Sequence, residues 1–146
     1  MANFNLESAE RYLELPEELK KDLDERVDYG IKFIRAYFPE WLNKVDLDIL
    51  KMSDRQLCVV GQCSDRKDMI LTYFHLLFLE KEGKLNFTEP VVDIFRKSGF
   101  YLEYELYEKW QGYFAFALKN EFFKLAYNYL TEQYKIKIRD TRQDNA

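Results

Sequence analysis

The chain has few of the residues that make turns and few cysteines. It contains only five glycines and three prolines in 146 residues, whereas a fold of many short strands needs frequent turns built from such residues. This scarcity disfavours a many-stranded β fold. The N-terminal segment is charged from Glu7 onward and has no apolar leader. We therefore expect a cytosolic protein in which the two cysteines, Cys58 and Cys63, stay reduced.

The chain also lacks a long apolar run and a strong charge of one sign. Its apolar stretch at 69–79 is too short to span a bilayer, so we expect no membrane insertion. The formal net charge is −4 and the pI is about 5.2, which argues against nucleic-acid binding through a general positive field. Acidic residues are concentrated in residues 1–30, whereas residues 119–146 are slightly basic.

What the sequence does contain predicts a mainly α fold. Hydrophobic residues make up 47% of the chain and charged residues 33%, as expected of one folded domain over residues 1–146. Apolar residues recur every three or four positions from Leu19 to Phe38, which is helical periodicity. We predict a compact single-domain helical bundle. The alternative is an α+β fold in which Leu57–Val60 and Leu85–Phe87 pair as a small hairpin.

Prolines and glycines indicate where the predicted helices begin and end. Further patterns indicate helices at 6–15, 54–60, 65–82 and 91–97, and a long aromatic-rich C-terminal helix over about 103–137, continuous or broken. Pro16 suits the first position of the helix that follows it. Gly30 marks either a break in that helix or a close contact with another one. Gly83 suits a helix C-terminus.

Several residues have the chemistry of a metal or catalytic site. Cys58, Cys63 and His75 are a candidate zinc set, although the cysteine spacing is loose and two buried thiols beside a core-edge histidine are the favoured alternative. Asp46 and Asp48 could hold a divalent cation, but capping of a turn is favoured. No phosphate-binding glycine loop or nucleophile elbow is present. We therefore expect no enzymatic activity and no cofactor, with zinc as the exception to check.

Two surfaces are candidates for partner binding. The first is the set of tyrosines in the C-terminal third, because Tyr and Trp are enriched at protein interfaces; these are Tyr101, Tyr104, Tyr107, Tyr113, Tyr127 and Tyr134. Core-margin tyrosines and base-stacking tyrosines are the alternatives. The second is an acidic helix face that either imitates nucleic-acid phosphate or is simply solvated; its residues are Glu17, Glu18, Asp22 and Glu25.

The stretch from Trp41 to Gln62 carries a resemblance to known proteins. Its Val-Asp-Leu-Asp core, its Met52 and its Cys-Val-Val-Gly-Gln run resemble a signature of small phage and prophage proteins. Pro39, Gly99-Phe100 and Trp110 fit the same pattern, whereas the chain departs from it after Gln62. The resemblance spans roughly residues 37–112 and implies a phage-type accessory protein without implying a catalytic activity. Several small phage accessory proteins, among them anti-CRISPR proteins, block bacterial defence nucleases.

These observations lead to two functional hypotheses. The first is a non-enzymatic module in the host cytosol that binds and inhibits a defence effector, such as a Cas9-type nuclease. The second is a nucleic-acid-binding regulator that uses the basic and aromatic C-terminal helix through Lys119, Lys124, Lys135, Lys137, Arg139 and Arg142. A homo-oligomer is compatible with either hypothesis.

Overall fold

The structure is a computed structural model, and it describes residues 15–111 and 119–144. Over these residues the fold is mainly α, which confirms the predicted class. Neither segment of the alternative hairpin forms a strand, nor does any other described residue. The helices, in chain order, are α1 Glu17–Tyr37, α2 Trp41–Lys44, α3 Val59–Cys63, α4 Met69–Lys81, α5 Val91–Lys97, α6 Tyr104–Trp110 and α7 Lys119–Asp144.

The two long helices, α1 and α7, pack against each other at the centre of the core. The apolar stripe predicted for α1 is buried, and it consists of Leu19, Leu23, Val27, Ile31 and Ile34. The facing stripe of α7 is spaced by four residues throughout and consists of Phe122, Ala126, Leu130, Tyr134 and Ile138. Residues four apart lie on one side of a helix, so both stripes form continuous packing surfaces.

Gly30 of α1 lies against the side chain of Tyr134 of α7. A Cβ atom at this position would lie 1.8 Å from the Tyr134 hydroxyl oxygen. That hydroxyl is buried and donates a 2.6 Å hydrogen bond to the Ser98 carbonyl oxygen at the end of α5. Because α1 continues through Gly30, the close contact is confirmed and the predicted break is not found.

The shorter helices surround this pair. α5 packs on α1, and α4 packs on α5 and α3. Gly83 follows α4 with φ of 68°, as a glycine at a helix C-terminus does. No helix in the described ranges has the length and apolarity to cross a membrane.

Four predicted boundaries are corrected. The helix expected at 65–82 is Met69–Lys81, because the Asp68 side chain caps it. The helix expected at 54–60 is only Val59–Cys63, because the Asp54 carboxylate accepts hydrogen bonds from the backbone N–H groups of Gln56 and Leu57 and holds a turn there instead. Pro16 precedes α1 as its cap and is not its first residue. The final helix extends beyond 137 to Asp144. The helix predicted at 6–15 lies almost wholly outside the described residues.

Candidate protein-binding surface

Helix α4 is fixed at its start by Asp68. The buried Asp68 carboxylate accepts hydrogen bonds from the backbone N–H groups of Ile70 at 2.9 Å and Leu71 at 3.2 Å. The same carboxylate forms an ion pair with Arg55 Nε at 3.1 Å. A capping aspartate satisfies N–H groups that have no partner inside the helix. Asp68 therefore sets both where α4 begins and how its first turn is oriented.

One side of α4 faces the protein. Thr72 and Leu76 are its buried residues. The Thr72 hydroxyl lies 2.8 Å from the Ser64 hydroxyl and donates to the Asp68 carbonyl oxygen at 2.8 Å. Beside them, the Tyr73 ring packs on Phe95 of α5 with 5.0 Å between ring centroids. These contacts fix the rotation of α4 about its own axis.

The opposite side of α4 exposes large apolar side chains. Leu71, Phe74 and Phe78 are 54%, 61% and 57% exposed, and Ile70 is 38% exposed. At 3.6 residues per turn these four positions fall within an arc of about 100°. We call this set, Ile70, Leu71, Phe74 and Phe78, the α4 outer face. A contiguous exposed apolar surface of this kind is typical of an interaction site in a soluble protein.

The sequence analysis did not assign the α4 outer face. The apolar run at 69–79 has hydrophobic residues on all sides of the helix, so periodicity could not indicate which side faces the core. A signal was nevertheless present. A short helix that is apolar all round is either fully buried or offers one side to something else, and a chain of this size can bury few such helices completely.

Among the predicted partner-binding tyrosines, Tyr101 and Tyr104 are exposed. Tyr101 is 53% exposed. The Tyr104 ring lies 4.9 Å from Lys119 Nζ. Tyr107 is half-buried and its ring packs on Phe122 with 5.5 Å between centroids. Tyr113 lies outside the described residues.

The other two predicted tyrosines have structural roles. Tyr134 is fully buried, so its assignment to a partner-binding surface is wrong; burial also raises its pKa well above the ordinary value. Tyr127 is half-buried, and its hydroxyl accepts a 3.0 Å hydrogen bond from the Leu102 backbone N–H. The sequence could not separate these two from Tyr101 and Tyr104, because all four lie in the same aromatic-rich region.

The predicted acidic face is only partly available. Glu17, Glu18 and Glu25 are exposed. Asp22 is instead committed within the protein, because it accepts a 2.8 Å hydrogen bond from Arg26 Nε. The role of the three exposed carboxylates in partner binding stays a prediction.

The candidate zinc ligands are not arranged as a metal site. In the part of the chain that the structure describes, no group of three or more His, Cys, Asp or Glu side chains could hold a metal ion. Cys58 and Cys63 are buried free thiols, and burial raises their pKa values to about 11 and about 12. His75 Nδ1 instead accepts a 3.1 Å hydrogen bond from Arg66. That the protein carries no zinc stays a prediction, tested by elemental analysis of protein purified without added metal.

Other residues of the Trp41–Gln62 stretch stabilise its local structure. Asp46 Oδ1 accepts a 3.0 Å hydrogen bond from the Asp48 backbone N–H, which confirms the predicted turn-capping role. The Gln62 side-chain amide bridges two segments, because it accepts from the Asp46 N–H at 2.6 Å and donates to the Leu57 carbonyl at 2.8 Å. Trp41 is buried.

Several cations of α7 that were predicted to contact phosphate already have partners within the protein. Lys135 pairs with Glu132 at 3.7 Å and Lys137 pairs with Asp28 at 3.2 Å. Arg142 donates hydrogen bonds to the backbone carbonyls of Leu42 and Val45. Lys124 and Arg139 are exposed.

Comparisons with known proteins supply no further guide to this surface. No protein-family model, no curated protein and no solved structure matches the chain.

Proposed function

We propose that this protein is a non-enzymatic protein-binding module and that the α4 outer face is its principal contact surface. The observation that carries the proposal is the exposure of Leu71, Phe74 and Phe78 on one side of a helix whose other side is anchored to the protein. Amphipathic helices that present apolar anchors at such spacing are a recurring mode of protein recognition. The exposed Tyr101 is a second candidate contact, of a residue type that is common at binding hot spots.

The partner that we propose is a bacterial defence effector, of which a Cas9-type nuclease is the specific candidate. This narrower proposal rests on the resemblance of residues 37–112 to phage accessory proteins. The exposed carboxylates Glu17, Glu18 and Glu25 add a surface that suits a basic nucleic-acid channel.

A capture experiment with matched variants tests the proposal. Immobilised protein is incubated with bacterial lysate and with purified Cas9-type nuclease, and the retained proteins are identified by mass spectrometry. The Phe74→Asp/Phe78→Asp variant places charge in the α4 outer face, and we expect it to lose capture. The control is Ile136→Asp, which changes a 43% exposed apolar residue on α7. Both variants change exposed positions, so their circular dichroism and thermal unfolding should match those of the wild type.

Two results would contradict the proposal. Equal capture by the wild type and the Phe74→Asp/Phe78→Asp variant would remove the α4 outer face as the contact surface. Capture of nothing above background, together with no protection of phage in a plaque assay, would remove the defence-effector proposal as well.

The alternative is a nucleic-acid-binding regulator that uses α7. The exposed Tyr104 ring with Lys119 above it is the observation that favours it, since cations and aromatic rings together bind single strands. The internal pairing of Lys135, Lys137 and Arg142 leaves fewer cations for phosphate. A gel shift at low salt decides between the two, because this alternative requires a complex that weakens steeply as salt is added.

A further inference from the structure

A groove separate from the α4 outer face lies between α1 and the segment that joins α4 to α5. It has a volume of about 690 Å³, within the range of pockets that hold small ligands. Its lining comes from α1, from the end of α4, from α5 and from residues 84–88 of the joining segment. Two parts of the chain that are distant in sequence, residues 29–37 and residues 79–94, therefore converge on one concavity.

The floor of the groove is aromatic and aliphatic. The Phe33 and Phe87 rings lie 5.6 Å apart between centroids, and Tyr37 lies 5.2 Å from Phe87. Leu79 and Ile94 complete this apolar lining. The rings contact one another in tilted and edge-on arrangements, which fixes their positions before any ligand arrives. The floor is therefore a preformed surface for the apolar part of a ligand.

The rim of the groove is positively charged. Lys32 and Lys84 line it, both are exposed, and neither forms an ion pair within residues 15–111 and 119–144. One acidic residue close to Lys32 in sequence is already engaged. Asp28, one turn before Lys32, pairs with Lys137 at 3.2 Å.

The acidic residue nearest the other end of the groove is engaged as well. Glu89 pairs with Lys97 at 2.7 Å. Burial and then the neighbouring Glu89 carboxylate raise the pKa of Tyr29, which also lines the groove. Two lysines without an ion pair in the described residues thus line an apolar floor, in a chain whose net charge is −4.

We propose that this groove binds a small amphipathic carboxylate, with its apolar body on Phe33, Tyr37 and Phe87 and its anionic head between Lys32 and Lys84. Charge complementarity sets the sign of the head group, because a cationic ligand would be repelled by both lysines. The aromatic floor requires the rest of the ligand to be apolar, since burying apolar surface provides most of the affinity for such a ligand. This site does not depend on the proposed protein-binding function.

Three eight-carbon probes test the proposal: octanoate, octanol and octylamine. Each is titrated into ¹⁵N-labelled protein and followed by amide correlation spectra. We expect saturable shifts with octanoate, confined to residues 29–37 and 84–88, and binding about tenfold weaker or absent with octanol and octylamine. Equal binding of all three probes would overturn the anionic head group. Octanoate shifts that fail to saturate, or that lie on the α4 outer face, would overturn the site.

Variants separate the two parts of the site. Lys32→Met/Lys84→Met keeps side-chain length and removes the charges, so octanoate should bind about tenfold more weakly. Ala36→Trp at an exposed lining position should fill the groove and abolish binding. Lys21→Met, an exposed lysine on α1 outside the groove, is the control and should bind normally. Unchanged octanoate binding in both groove variants would overturn the proposal. So would amide shifts of the groove residues that appear only when a captured partner protein is added.

Discussion

Tyr134, Gly30 and Ser98 form a contact in which each residue depends on the other two. Among the described residues, the Tyr134 hydroxyl bonds to the Ser98 carbonyl alone, and it fits there because residue 30 has no side chain. Buried polar groups without partners are costly, and interiors have little space for added atoms. The sequence indicated that Gly30 was special, but it could not name the side chain that fills the space.

A double-mutant cycle tests this dependence. We expect Gly30→Ala alone to destabilise the protein by about 1–3 kcal/mol through overpacking against the Tyr134 hydroxyl. Tyr134→Phe alone should cost about 1–2 kcal/mol, because the Ser98 carbonyl loses its hydrogen bond. In the Tyr134→Phe background, Gly30→Ala should cost less, since the closest clashing atom is gone. Urea unfolding measures all four proteins, and simple additivity would contradict the contact.

The two buried thiols predict a loss of stability in alkali. Burial raises the pKa of Cys58 from 9.0 to about 11 and that of Cys63 to about 12. The folded state therefore holds these protons more tightly than the unfolded state does. The stabilisation is complete below pH 9 and is lost as pH rises toward the folded pKa values, by about 1 kcal/mol per thiol at pH 10. Urea unfolding at a series of pH values measures this loss of unfolding free energy.

The control for the alkaline prediction is the Cys58→Ala/Cys63→Ala variant. It should be less stable at neutral pH, but its stability should change less between pH 9 and pH 10. Buried tyrosines such as Tyr134 also cost stability as pH rises toward 10 and beyond. Because both proteins keep these tyrosines, their effect cancels in the comparison. Parallel curves for the two proteins would show that the thiols do not cause the effect.

At the scale of elements, α4 shows most clearly what sequence could and could not predict. The existence of a helix over this stretch followed from its apolar length and from Gly83 beyond it. Its orientation did not follow, because Leu71, Phe74 and Leu76 are equally apolar. Tertiary contacts decide the orientation: the Asp68 cap, the Thr72–Ser64 pair and the packing of Tyr73 on α5. By contrast, α1 has one apolar stripe, and its buried side was predicted correctly.

The orientation of α4 predicts opposite outcomes for neighbouring substitutions. Leu76 is 1% exposed, so Leu76→Ala should cost about 2–5 kcal/mol by leaving a cavity. Phe74 is 61% exposed, so Phe74→Ala should change the free energy of unfolding by no more than about 0.5 kcal/mol. Urea unfolding of both variants measures the two changes in unfolding free energy. Similar costs at the two positions would mean that Phe74 is covered in solution, by a second copy of the chain or by another part of it.

At the scale of the whole molecule, charged contacts join segments that are far apart in sequence. Arg26 of α1 donates two hydrogen bonds of 2.9 Å to Glu103, the residue that precedes α6. Burial alone would raise the pKa of Glu103, but the hydrogen bonds and charge of Arg26 outweigh it and lower that pKa below its ordinary value of 4.5. Neither partner was identified from sequence, because ion pairs across a fold leave no local pattern.

This ion pair predicts part of the acid sensitivity of the protein. Because the folded pKa of Glu103 is lowered, its contribution to stability is present above about pH 4.5 and is lost as pH falls through the folded value. Glu103→Gln should lower stability at pH 7 by about 1–3 kcal/mol. The wild-type and variant proteins should then converge in stability as pH falls below 4.5. A constant gap across this pH range would contradict the role of the Glu103 charge.

The pairing of α1 with α7 also has a consequence for how the chain folds during synthesis. The apolar stripe of α1 from Leu19 to Ile34 is covered by α7 residues about a hundred positions later. A nascent chain folds from its N-terminal side as it leaves the ribosome, and such distant contacts form late and slowly. The α1 stripe therefore stays partly uncovered until Tyr134 and Ile138 have been translated. Shortened chains that end before these residues should depend on chaperones or be degraded.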